Sequence, residues 1–162
     1  FMELERPLLS VHVRRGDNAS GPNNNHPVRP MSYYEGAIDS LRGEFASICI
    51  FSDDPEWCRA HFERYSVEYP IFFFVGTPRA KEHEPAYKTA PVLDWIDLQL
   101  MASCDRHIIS NSTYSWWGAF LSHDAAPIYP KPFFGELLRY IDADLMFPDN
   151  WICLDHGQQH VE

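Results

Sequence analysis

A chain of 162 residues can bury one sizeable core and falls short of what two domains need. Its 23 acidic against 13 basic residues give a formal charge of −10, which excludes nucleic acid as the main partner. Any anionic ligand must then be held by a local basic cluster.

The opening "FMELERPLL" carries charges where a signal peptide would be hydrophobic, and a core-like strand begins soon after it. The expectation is a fragment whose earlier part is missing. "PLLSVHV" predicts a strand, with Leu9, Val11 and Val13 alternating with Ser10, His12 and Arg14. It ends in "RRGDN", and a Gly/Asn/Pro-rich loop follows from Asn18 to Pro30, either a binding loop or plain disorder. "SYYEGAIDSLRGEF" predicts a helix capped by Ser32, with Tyr34, Ala37, Ile38 and Leu41 on one face. "SICIFSDD" is a strand entering a turn, and "PEWCRAHFERY" a helix with Pro55 at its first position. "YPIFFFVG" lacks alternation, which predicts a strand buried on both faces.

"TPRAKEHEPAYKTAP" is a charged loop. "VLDWIDLQLMASC" predicts a helix with Leu93, Ile96, Leu100 and Cys104 on one stripe. "HIIS" is a short strand, "TYSWWGAFLSH" a helix and "PIYP" a strand; "GELLRYI" suits a short helix and "WICLD" an end strand. Strand alternating with helix at this spacing predicts one α/β domain, a Rossmann-like three-layer fold with a mostly parallel sheet. The longest apolar run, "IFFFVG", is too short to cross a membrane. The four cysteines form no CxxC pair and read as small core residues, not metal ligands or a disulfide framework.

In such sheets ligands bind outside the carboxyl ends of the strands, and three of those ends are chemically loaded. The first presents His12, Arg14, Arg15 and Asp17 around Gly16. Two arginines alone would be solvated charges, but four polar groups together fit an anion site. In "SDDP", Asp53 or Asp54 caps the next helix, and the other accepts from a ribose or an arginine. "ISNSTYS" offers Ser110, Asn111, Ser112, Thr113 and Ser115 at a helix start, which suits a phosphate; simple N-capping is the alternative. Trp116, Trp117 and Phe120 read as core, with sugar stacking by one tryptophan as the alternative. No DxD stands at a strand end, no histidine spacing suits a metal, and neither GxGxxG nor a Walker lysine is present.

"HVRRGD", "YYEGAI", "FSDDPEWC" and "SNSTYSWWGAFL", in this order and spacing, resemble the α-1,2-fucosyltransferases of glycosyltransferase family 11 from about Ser10 to Leu121. A weaker echo follows in "PDNWICLD". The resemblance implies an enzyme transferring L-fucose from GDP-fucose to a galactose-containing glycan, with inversion and without a metal or other cofactor. It also implies a two-domain GT-B transferase whose C-terminal Rossmann-like half binds the donor. Residues 1–162 would be that single nucleotide-sugar-binding half, without the N-terminal acceptor-side domain. The alternative is a non-catalytic GDP-sugar-binding half that needs a missing domain or partner for activity. A carbohydrate-binding module does not fit, because its all-β pattern is absent.

Carried over residue by residue, Arg14 would hold the donor diphosphate, and Arg15 would support the loop through Asp17 or a neighbouring carboxylate. His12 would lie near the guanine or the diphosphate. Asp97, or alternatively Asp94, would read the guanine edge, unless both simply line a solvated helix face. Ser112, Thr113 and Ser115 would form the phosphate-contacting turn. Asp17 is the nearest candidate base for the acceptor hydroxyl, with bracing of Arg15 as its other role. "NASGPNNN" departs from the family pattern, in which an aromatic often follows the aspartate. Asn18 and Asn111 open formal glycosylation sequons, the second inside the presumed phosphate turn. The dispersed cysteines favour a reducing compartment, hence a bacterial-type enzyme that is cytoplasmic or on the cytoplasmic side of a membrane; a Golgi lumen is the eukaryotic alternative.

Overall fold

The computed structural model describes residues 3–16, 25–75, 94–124 and 126–155. Asp17, Leu93, the charged loop and most of the Gly/Asn/Pro-rich loop lie outside them. Six strands form the sheet: β1 (Leu8–Val13), β2 (Ser47–Ser52), β3 (Ile71–Val75), β4 (Arg106–Ile108), β5 (Ile128–Lys131) and β6 (Ile152–Asp155). Every neighbouring pair is parallel, and the order is β3-β2-β1-β4-β5-β6. Among the described residues four α-helices connect them: α1 (Met31–Ser40), α2 (Pro55–Phe62), α3 (Asp94–Ala102) and α4 (Thr113–Phe120). This is a doubly wound Rossmann-like architecture.

The pleat of β1 explains the two cores. Leu9, Val11 and Val13 turn to one face, where they join Tyr33, Tyr34, Ala37 and Ile38 of α1 and Cys58 and Phe62 of α2. Leu8 turns to the other face with Cys49 and Phe51, against Met101 and Cys104 at the end of α3. A third cluster, around Ile109, Tyr129, Phe133, Phe147 and Trp151, packs beside α4. All six β1 residues are buried because strands flank them on both sides and helices cover both faces.

Five expectations need correction. Ser32 does not cap α1; the helix starts one residue earlier, behind Pro30, whose carbonyl accepts from Tyr33 N–H at 3.1 Å. β3 is an edge strand and only half-buried. Phe73 meets the α1/α2 cluster and Phe74 stacks on Phe51 at 4.8 Å, so both faces are apolar, but only β2 flanks it. On α3 Met101 is buried outside the expected stripe; of that stripe Cys104 is buried, Leu100 packs half-buried against the same cluster, and Ile96 is half-buried. Of the aromatic run of α4, Trp116 packs against the third cluster as expected, but Trp117 and Phe120 are not core. Ser115, Gly118 and Ala119 face inward, and Trp116 is half-buried with its Nε1–H donating to the Met146 carbonyl at 3.0 Å. Trp117 and Phe120 are 49% and 50% exposed, since a helix of eight residues packed on α3 covers one side only. The segment "GELLRYI" forms a 3-10 turn, Glu136–Leu138, in place of a helix.

The amino edge of the sheet is tied by a buried carboxylate. Asp124 accepts from Arg106 Nη1 at 2.7 Å, from the Ala126 N–H at 3.0 Å and lies 3.2 Å from His107 Nδ1, whose Nε2 reaches the Met101 carbonyl at 2.8 Å. Burial alone would raise its pKa, but the His107, Ala126 and Arg106 contacts prevail and hold the carboxyl below its ordinary value. All four cysteines are free: Cys49, Cys58 and Cys104 are buried and Cys153 is exposed. Among the described residues no helix is long and apolar enough to cross a membrane.

Candidate functional site

The chain leaves β1 toward β2 on one side and returns to β4 on the other, so the strand order reverses between β1 and β4. Such a reversal opens a crevice at the carboxyl ends of the two strands. A side-chain bond joins its walls: His12 Nδ1, from β1, lies 2.8 Å from Ser110 Oγ, just beyond β4. His12 is 6% exposed and its ring tilts against Tyr114 at 5.7 Å. Burial pushes its pKa down to about 4; Asp53 opposes the shift and Arg14 adds to it. At neutral pH His12 is therefore uncharged.

On the β2 side two ion pairs close the crevice. Arg14 Nη1 lies 3.0 Å from Asp53 Oδ2, and Arg15 Nε lies 3.1 Å from Asp54 Oδ2. The Arg15 N–H also donates to Asp53 Oδ1 at 2.9 Å, and its guanidinium sits 4.2 Å over the Trp57 ring. Asp54 is the helix cap of the pair, accepting from Trp57 N–H at 3.1 Å, while Asp53 faces the arginines. Gly16 is required by this closeness: a Cβ there would stand 2.7 Å from Asp53 Oδ2.

On the β4 side the turn into α4 is short and polar. Ser112 occupies the cap position in an extended conformation without a side-chain cap bond. Its N–H donates to the Ser110 carbonyl at 2.8 Å, and its own carbonyl accepts from the buried Ser115 hydroxyl at 3.1 Å. Thr113 opens α4 in an exposed position, where first-turn N–H groups have no intrahelical acceptor. Asp97 lies near the start of α3, half-buried, on the end of that helix nearest the carboxyl edge, and Asp94 opens the helix. The structure thus gathers His12, Arg14, Arg15, Asp53, Ser112, Thr113 and Ser115 around one crevice, while Asp17 falls outside the described residues.

Two further residues belong to this edge. Asn111 is 1% exposed, and neither atom of its amide finds a partner among the described residues. Arg29 is 5% exposed just ahead of α1, and burial lowers its pKa. The segment carrying it is laid over the ends of β4 and β5. The Asn25 carbonyl accepts from Gly135 N–H at 2.8 Å, His26 packs on Phe134 at 5.9 Å, and Tyr33 donates to the Ile109 carbonyl at 2.6 Å. Sequence reasoning left Arg29 inside a loop; a lone arginine among prolines gives no signal of its burial.

The family model described as glycosyl transferase family 11 matches residues 3–136. The chain is 36% identical over 152 residues to the O-antigen biosynthesis glycosyltransferase WbnK of Escherichia coli, covering 90% of this chain and 44% of that protein. It is 32% identical over 155 residues to an alpha-1,2-colitosyltransferase of Escherichia coli, covering 91% and 47%. Against galactoside alpha-(1,2)-fucosyltransferase 1 of Leontopithecus chrysomelas it is 24% identical over 157 residues, covering 93% and 39%. The chain spans less than half the length of each of these relatives. No solved structure matches it.

Proposed function

Because the chain belongs to glycosyltransferase family 11, we propose that its crevice binds GDP-fucose and serves transfer of L-fucose, with inversion and without a metal, to the 2-hydroxyl of a galactose-containing glycan. The observation that carries this reading is the convergence of Arg14 and the start of α4 on one crevice, joined by the His12–Ser110 bond. Breaking the sugar C1–O bond leaves growing negative charge on the diphosphate. A guanidinium fork and the N–H groups of a helix start meet that charge without a metal ion. In this reading Arg14 grips the diphosphate while Arg15, occupied by Asp54 and Trp57, holds the turn in shape. Ser112, Thr113 and Ser115 shape the phosphate turn, and Asp97, or Asp94, accepts from the guanine N1–H and N2–H₂. Inversion needs one displacement, with Asp17 taking the acceptor proton.

The printed names of the relatives, colitosyl and fucosyl transferases with a (1,2) linkage, support this substrate class. Calorimetric titration with GDP and ADP, each with and without a chelator, tests it. GDP should bind tighter than ADP and be indifferent to the chelator. No GDP binding sinks the reading, and loss of binding with chelator sinks the metal-free part.

The chain's share of its relatives' length supports a second reading, a donor-binding half that needs more chain for turnover. A transfer assay with GDP-fucose and a β-galactoside separates the two. GDP binding without turnover favours the second.

A further inference from the structure

Among the described residues the carboxyl edge holds three arginines, and two are already balanced. Arg14 pairs with Asp53 and Arg15 with Asp54, so these four groups together contribute no net charge. Arg29 differs. It is the only arginine or lysine buried among the described residues, and no ion pair there includes it. Its Nε and Nη2 both donate to one neutral acceptor, the Pro27 carbonyl, at 3.2 and 3.1 Å. The ring hydroxyls near it, Tyr33 and Tyr34, are kept neutral by burial and cannot offset its charge.

A buried cation without a counterion is costly, and a fold retains one when a ligand supplies the missing charge. Its placement says where. Arg29 closes the β1–α1 connection that Arg14 opens, and four residues later Tyr33 bonds the Ile109 carbonyl, two residues ahead of Asn111. Both ends of that connection therefore frame the crevice between β1 and β4. In the proposed reaction the only anionic group of the substrates is the donor's diphosphate.

We infer that Arg29 is a second cationic ligand of the donor diphosphate and supplies the net positive charge that Arg14, paired with Asp53, does not. This rests on the GDP-sugar reading above. As the C1–O bond breaks, the electron pair stays with the diphosphate oxygen, and a guanidinium in a dry setting stabilises it more than an exposed one would.

The test is calorimetric titration of the chain and its Arg29→Gln and Arg29→Lys variants with GDP and with guanosine. Arg29→Gln should weaken GDP at least tenfold and leave guanosine unchanged, and Arg29→Lys should recover part of the loss. Unchanged GDP affinity, or an equal loss of GDP and guanosine, overturns the inference. If the unaltered chain binds no GDP, the donor reading itself falls and the inference with it. Should Arg29→Gln not fold, the unaltered chain carries the test: the Arg29 Nε–H resonance should shift with GDP and stay with guanosine. No shift with GDP overturns the inference.

Discussion

Lowering the pH from 7.5 to 5.5 should cost this protein about 1 kcal/mol of stability through His12 alone. The imidazole is 6% exposed and its folded pKa is pushed down to about 4, chiefly by burial. Unfolding returns it to about 6.5. Below that value the unfolded chain takes up the proton while the folded chain does not, so acid tilts the balance toward unfolding. Stability from this group is fully present above pH 6.5. It falls by about 1.4 kcal/mol per pH unit toward pH 4, for a total of about 3 kcal/mol. Stopping at pH 5.5 keeps most carboxylates ionised. Urea unfolding followed by tryptophan fluorescence, at both pH values, should be compared between the unaltered chain and His12→Gln. Groups common to both cancel in the difference, and the unaltered chain should lose about 1 kcal/mol more than the variant. Equal losses would refute a buried neutral imidazole between β1 and β4.

Arg14→Lys keeps a charge but loses the planar fork, so kcat/KM with GDP-fucose in a transfer-competent protein should drop by at least about two orders of magnitude, about 3 kcal/mol. Near-normal turnover, with circular dichroism confirming the fold, would mean the diphosphate lies elsewhere. Gly16→Ala should cost about 1–3 kcal/mol in urea unfolding, because the new Cβ meets Asp53 Oδ2 at 2.7 Å and Arg14 and the Arg15 N–H hold that carboxylate in place. An unchanged midpoint would show that the turn yields freely. Asp124→Asn leaves Arg106 and His107 without their shared carboxylate and should cost about 3 kcal/mol by the same measurement. Because the Asp124 carboxyl is held below its ordinary pKa, its contribution is present at neutral pH and lost as acid protonates it. The variant should accordingly show a flatter acid limb.

The α/β alternation was legible because short runs of β-formers, such as "LLSVHV" and "SICIFS", recur between stretches of helical spacing, with helix-start signals such as Pro55 between them. "SDDP" marked the start of α2 for a local reason: a carboxylate cap followed by proline. The meeting of three polar strand ends was also legible, since a parallel sheet puts all its carboxyl ends on one edge. Partner choice was not. "SDDP" offers two carboxylates to two arginines, and only the turn geometry decides that Asp54 caps while Asp53 meets Arg14. Helical periodicity describes one element and not what covers it, so Trp117 and Phe120 read as core although α4 leaves them half exposed. Arg29 escaped for the converse reason. Its burial comes from how residues 25–30 lie against Gly135 and Phe134, more than a hundred positions away.

The cysteine distribution has a practical side. Three thiols are shut inside the cores, and burial pushes that of Cys58 up to about 11, which leaves little of the reactive thiolate at neutral pH. Cys153 alone meets solvent, on β6, two strands from β4 and so roughly 10 Å across the sheet from the crevice. A maleimide fluorophore added to the unaltered chain should attach at that one position. It would leave His12, Arg14 and Arg29 untouched, and would turn nucleotide binding into a change of emission in native protein.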